Sequence, residues 1–114
     1  MNFTTDQQSP NGSWLQGEIT TTYANLVSIF GEPNSDGDGY KVQAEWDIRF
    51  EDGTYATIYD WKEGSSYNGP GQGIPPEMVT NWHIGGTERA AYYRVSDLIN
   101  NVIEMEKPTL KIEL

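Results

Sequence analysis

"YKVQAEWDIRFEDGTYATIYDWK" spans residues 40–62, and its alternation decides the fold. In the first half, Val42, Ala44, Trp46, Ile48 and Phe50 fall on one side. Lys41, Gln43, Glu45, Asp47 and Arg49 fall on the other. Successive side chains of an extended chain point to opposite faces, so this is a strand with one buried face. "EDG" interrupts the pattern and "TYATIYDWK" resumes it, which makes a hairpin. Two registers compete. A two-residue Asp52–Gly53 turn pairs Phe50 with Tyr55 and sets Tyr55, Tyr59 and Trp61 on the apolar face. A three-residue loop with Gly53 as a left-handed bulge pairs Phe50 with Thr54. Ala56 and Ile58 then join the apolar face, and Tyr55, Tyr59 and Trp61 lie among Glu45, Asp47 and Arg49. The second register is preferred because the first buries Ala56 and Ile58 opposite charges. A one-residue slip moves every side chain across the sheet, so the two exclude each other.

Upstream, "TTTYANLVSIFGEP" carries Tyr23, Leu26, Val27 and Phe30 at helical spacing. A threonine before Tyr23 can cap this helix, Gly31 can close it and Pro33 stops it. "SWLQGEI" (13–19) suggests a short strand, and residues 1–12 a loose, flexible arm. Downstream, "EGSSYNGPGQGIPPE" (63–77) is a long glycine- and proline-rich loop of a kind that is often functional. "MVTNWHI" suggests a turn or short strand. From Glu88 to about Met105, Ala91, Val95, Leu98, Val102 and Met105 form the stripe of an amphipathic helix. Pro108 ends it, and "TLKIEL" in the 108–114 tail alternates like an edge strand or a dimer contact. The expectation is one α+β domain over 13–107: a small antiparallel sheet built on the hairpin, with two helices packed on one face.

Of the 114 residues 36% are apolar, but they include 4 Trp, 7 Tyr and 3 Phe, enough large rings to close a small core. The net charge of −10 repels nucleic-acid phosphates and anionic lipid, which argues against direct nucleic-acid binding and membrane association. No apolar run approaches the roughly 20 residues of a membrane span. The first residues have neither the basic region nor the apolar core of a secretory signal, so a cytoplasmic protein is expected. With no cysteine, thiolate zinc sites, disulfides and cysteine nucleophiles are excluded. A single histidine, no nucleophile elbow, no phosphate-binding Gly-Lys-Ser/Thr loop and no metal-ligand spacing leave catalysis, metals and cofactors unsupported.

Two constellations remain. On the hairpin, Glu45, Asp47, Glu51 and Asp52 crowd together with Tyr55, Tyr59 and Trp61. Carboxylates at i and i+2 of a strand stand about 6.6 Å apart. Such a row could steer a basic protein surface while the aromatics anchor it. The second is "NWHIGGT" (81–87). Gly85, Gly86 and Thr87 before a helix can offer free amides to an anionic group, joined by His83 and by Lys62 or Arg89. Trp82, Tyr67 or Trp61 could stack on a base. Each has a plainer reading: a solvated sheet face, and an ordinary cap with a packed tryptophan.

"LQGEITTTYANLVSIFGEP", "DGYKVQAEWDIRFEDGTYATIYDWK" and "WHIGG" together resemble a group of small bacteriophage proteins with FGEP, AEW, DGT.ATIY and WHIGG elements. The resemblance covers residues 14–86. It implies a phage accessory protein at work in an infected bacterial cytoplasm, and it supplies no mechanism. The leading expectation is therefore a non-enzymatic counter-defence protein that inhibits a host protein with a basic surface. The alternative is a sponge that sequesters a small nucleotide-type ligand near the WHIGGT turn. A third reading is an assembly role through homo-oligomerisation of the tail.

Overall fold

The computed structural model describes residues 2–5 and 12–106. Five antiparallel strands run β1 (Phe3–Thr4), β2 (Trp14–Thr20), β3 (Glu45–Phe50), β4 (Tyr55–Tyr59) and β5 (Asn81–Gly86). Their order in the sheet is β1-β3-β4-β5-β2. Helix α1 (Tyr23–Phe30) and helix α3 (Ala90–Glu106) share one core with the sheet, and a single turn of helix, α2 (Ser65–Asn68), lies in the long loop. This is the expected α+β architecture. No described helix is long and apolar enough to cross a membrane.

The hairpin adopts the three-residue loop. Arg49 pairs with Tyr55, Ile48 with Ala56 and Trp46 with Ile58. The Phe50 amide donates to the Thr54 carbonyl, and Gly53 takes φ +88°. That register buries Trp46, Ile48, Phe50, Ala56 and Ile58 together. The alternation from Tyr40 nevertheless overstates the first strand, which begins only at Glu45. The cause is Asp60, fully buried just past the end of β4. Its Oδ1 accepts the amides of Gln43 and Ala44 at 2.9 and 3.0 Å, so a side chain replaces the ladder there.

Helix α1 starts as expected. Thr22 Oγ1 accepts the Asn25 amide, a capping bond that satisfies one of the free donors of the first turn. Gly31 closes it at φ +81°. Leu26 and Phe30 from α1 and Ala91, Val95 and Ile99 from α3 bury against Trp46, Trp82, Ile58 and Ile84. Trp46 and Trp82 meet edge to face at 5.4 Å, and each indole donates to a backbone carbonyl, of Gly31 and Thr21 respectively. Those bonds let two large polar-tipped rings sit dry.

Part of the arm expected to be loose is paired. Phe3 and Thr4 add to β3 opposite Phe50 and Arg49, because the Phe3 ring packs between Phe30 and Phe50. The rest of the β3 edge is closed by Ser35, bridged to Glu45 through both backbones, and by Asn34. Its side-chain amide donates to the Asp47 carbonyl and its oxygen accepts the Asp47 amide. Residues 6–11 and the expected 108–114 edge strand lie outside the described residues.

Candidate functional site

Helices cover one face of the sheet. On the other, register aligns Glu45 with Tyr59, Asp47 with Thr57, Tyr59 with His83 and His83 with Glu18. Strand alternation puts all of these on the open side. Trp61, just beyond β4, stacks on His83 at 6.0 Å and 22°, and Tyr59 meets both rings edge on. His83 Nε2 lies 3.3 Å from Glu18 Oε1. The Lys41 and Lys62 ammonium groups stand 5.7 and 5.5 Å from the Trp61 ring centre. Lys62 holds φ +59°, uncommon for a side-chain-bearing residue, and its amide donates to the Lys41 carbonyl. Tyr59 is half-buried, Trp61 is 37% exposed, and Leu15 and Trp14 at the start of β2 are more than two-fifths exposed.

Beside this aromatic cluster lies a recess of about 240 Å³, lined by Ser13, Trp14, Glu45, Thr57, Tyr59 and Gly85. Gly85 keeps its floor low: a Cβ there would stand 2.6 Å from Thr57 Oγ1. Glu45 is pushed up to about 8, first by burial, then by its hydrogen bond and repulsion with Asp47, then by Asp38. A carboxyl in that state is neutral at pH 7 and can donate to its neighbour. Asp47 is 7% exposed, and its Oδ1 has no hydrogen-bond partner. Burial first, then the charge of the nearby Glu45 when it is ionised, also raises the Tyr59 phenol.

The expected hairpin constellation is therefore divided. Glu45, Asp47, Tyr55, Tyr59 and Trp61 share the open face, with Tyr55 under the Arg49 guanidinium. Glu45 and Asp47 stand in and behind a recess, not on a ridge. Glu51 and Asp52 sit in the tip loop. Asp52 turns to helix α3, where Arg94 Nε donates to it at 3.0 Å. The Thr54 amide and hydroxyl, then Arg94, hold the Asp52 carboxyl down at about 2.

The WHIGGT constellation does not converge. Gly85 and Gly86 are not a turn opening onto a helix; they are the end of strand β5, and α3 begins only at Ala90. Close packing demands glycine there, since a Cβ on Gly86 would meet Ala91 Cβ at 2.5 Å and the Tyr55 carbonyl at 2.8 Å. Thr87 lies outside the helix. Trp82 is buried on the opposite face from His83. Arg89 donates to the Gln16 carbonyl and lies over Tyr92 and Tyr93. Tyr67 packs on Tyr40 and under Lys62. Of that set His83, Trp61, Lys62 and Tyr67 are linked by contacts, and Trp82, Gly86, Thr87 and Arg89 stand apart from them.

Sequence reasoning placed a strand at 13–19 but did not assign Thr57, Lys41, Trp14 or Leu15 to the site. A tryptophan–leucine pair opening a short strand was the available signal for Trp14 and Leu15. Nothing local marked Thr57, which matters because it faces Gly85 across the ladder. No protein-family model matches the chain, and no curated protein matches it.

Proposed function

We infer that this chain is a non-enzymatic accessory protein of phage type that binds and inhibits a host protein, in a counter-defence role, through the open face of its sheet. The observation that carries the reading is the exposed Trp61 and Leu15, with the half-buried Tyr59, on a face that neither long helix covers. Contiguous exposed apolar surface of this kind marks interaction sites, and tryptophan and tyrosine are the residues that most often anchor them. The phage context comes from the resemblance over residues 14–86. Long-range attraction to a basic partner falls to the exposed acids Glu18, Asp36, Asp38 and Glu51, with Glu45 neutral in its recess.

The nucleotide-sponge alternative has less support. The recess, at about 240 Å³, is smaller than the roughly 300–1,000 Å³ of pockets that enclose small ligands.

Affinity capture from infected bacteria tests the reading, with protein and small-molecule mass readouts. The wild-type chain and a Tyr93→Ala control on the exposed side of α3 are expected to retain the same host protein, and Trp61→Ala to lose it. Equal retention by all three, or a bound nucleotide with no protein, overturns it.

A further inference from the structure

The open-face recess has a feature that a general docking surface does not need. Glu45 lines it, the Asp47 carboxyl stands behind it opposite Thr57, and among the described residues neither makes an ion pair. Asp47 is more than nine-tenths buried, and its Oδ1 has no hydrogen-bond partner. Burying acceptors in this way is costly unless a donor arrives. The floor is Gly85 and Thr57, and the Tyr59 ring stands beside Glu45.

Resting on the docking reading, we propose that this recess receives one arginine side chain of the protein partner, its guanidinium held by the Glu45 and Asp47 carboxyl groups against the Tyr59 ring. Guanidinium fits for three reasons. It is planar and carries five donors, so it can serve two carboxyl groups about two strand positions apart. It lies favourably against aromatic rings. It is also small enough for a recess too small for a nucleotide. The occupant's positive charge complements both the pair and the −10 chain.

Binding exchanges one proton. In the free protein Glu45 is the acid that donates to Asp47; when the guanidinium enters, the Glu45 proton leaves to solvent and both carboxylates accept from the cation. The groups facing Glu45 are Asp47 on its own strand, Asp38 from the loop before it and Tyr59 across the ladder. His83, with Glu18, lies one strand further, and Lys41 and Lys62 flank Trp61. Affinity for the cation therefore tightens as pH rises.

The probe is N-acetyl-L-arginine amide, titrated into the isotope-labelled full chain and followed by amide NMR. The neutral, equally shaped citrulline amide is the control. Saturable shifts centred on Glu45, Thr57, Tyr59 and Gly85 are expected with arginine and not with citrulline. Affinity should tighten up to about a hundredfold between about pH 6 and pH 9, because one proton must leave a group that titrates at about 8. Glu45→Gln keeps a donor for Asp47 and so keeps the fold, yet removes the pH dependence and weakens binding. Asp47→Asn, read in parallel, weakens binding too. The proposal is overturned by the absence of saturable shifts at the upper pH, by equal binding of citrulline, or by an unchanged profile in Glu45→Gln. If arginine fails while Trp61→Ala still loses the captured partner, only the recess assignment falls. If arginine saturates the recess while Trp61→Ala retains the partner, the docking reading falls.

Discussion

On the covered face of the sheet, Trp46, Ile48, Ile58, Trp82 and Ile84 are fully buried beneath the helices. One residue along the same strands, the open face carries Glu45, Asp47, Thr57, Tyr59, His83 and Gly85. The covered face is apolar throughout and its two indole N–H groups are bonded, so its stability comes from burial and packing. The open face holds a buried carboxylate, a neutral glutamic acid and a ring cluster with two ammonium groups nearby. Such groups contribute little to folding and some oppose it. The contrast separates what the sheet needs in order to exist from what it presents.

The strongest way to sharpen that contrast is to cut the covered face. Trp82→Ala removes a fully buried ring and its bond to Thr21. It is expected to cost about 3–5 kcal/mol in denaturant unfolding, enough to threaten the fold. Asp60→Ala comes next, at about 2–4 kcal/mol, because the amides of Gln43 and Ala44 lose their acceptor. Calorimetry should register it as a lowered midpoint, with amide-exchange protection lost first around residues 42–44.

Glu45→Gln should act in the opposite direction and only at higher pH. The folded protein keeps the Glu45 proton up to about pH 8, whereas the unfolded chain releases it near the ordinary glutamate value of 4.5. Between those values the folded state binds more protons, so wild-type stability falls as pH rises through that window and levels off above it. The variant has no such slope. Solvent at the half-exposed carboxyl screens the effect, and about 1 kcal/mol of gain above pH 8 is expected in matched unfolding curves. A parallel slope in both proteins would remove Glu45 as its source. The smallest effect on stability, under about 0.5 kcal/mol, is expected from Trp61→Ala, whose ring is more than a third exposed. A large loss there would mean that the aromatic cluster belongs to the core after all.

The covered face was legible because it obeys a period: alternation located β3 and β4, and Gly53 selected their register. Helical spacing found α1 and α3. The open face was legible only by subtraction. Sequence spacing put Glu45 and Asp47 on one side, but the recess that Glu45 lines also takes Ser13, Trp14 and Gly85, which no local pattern links to it. The glycines of "WHIGG" misled for a related reason. Glycine usually punctuates strands, and here it fills one because Thr57 and Ala91 come too close for a Cβ. The late start of β3 at Glu45 had the same kind of cause, a side chain 16 residues from Ala44 standing in for a neighbouring strand.

β2 belongs to the sheet only through β5, its neighbour in space and more than sixty residues distant along the chain for its central pairs. A ribosome adds about 5–20 residues each second, so β2 emerges several seconds before the strand that receives it. The β3–β4 hairpin has both partners at hand long before then. The recess draws on β2, β3, β4 and β5 at once. A chain halted before Asn81 would therefore carry the hairpin's acids and aromatics with no floor beneath them, and the last segment of sheet to be synthesised is the one that turns those side chains into a site.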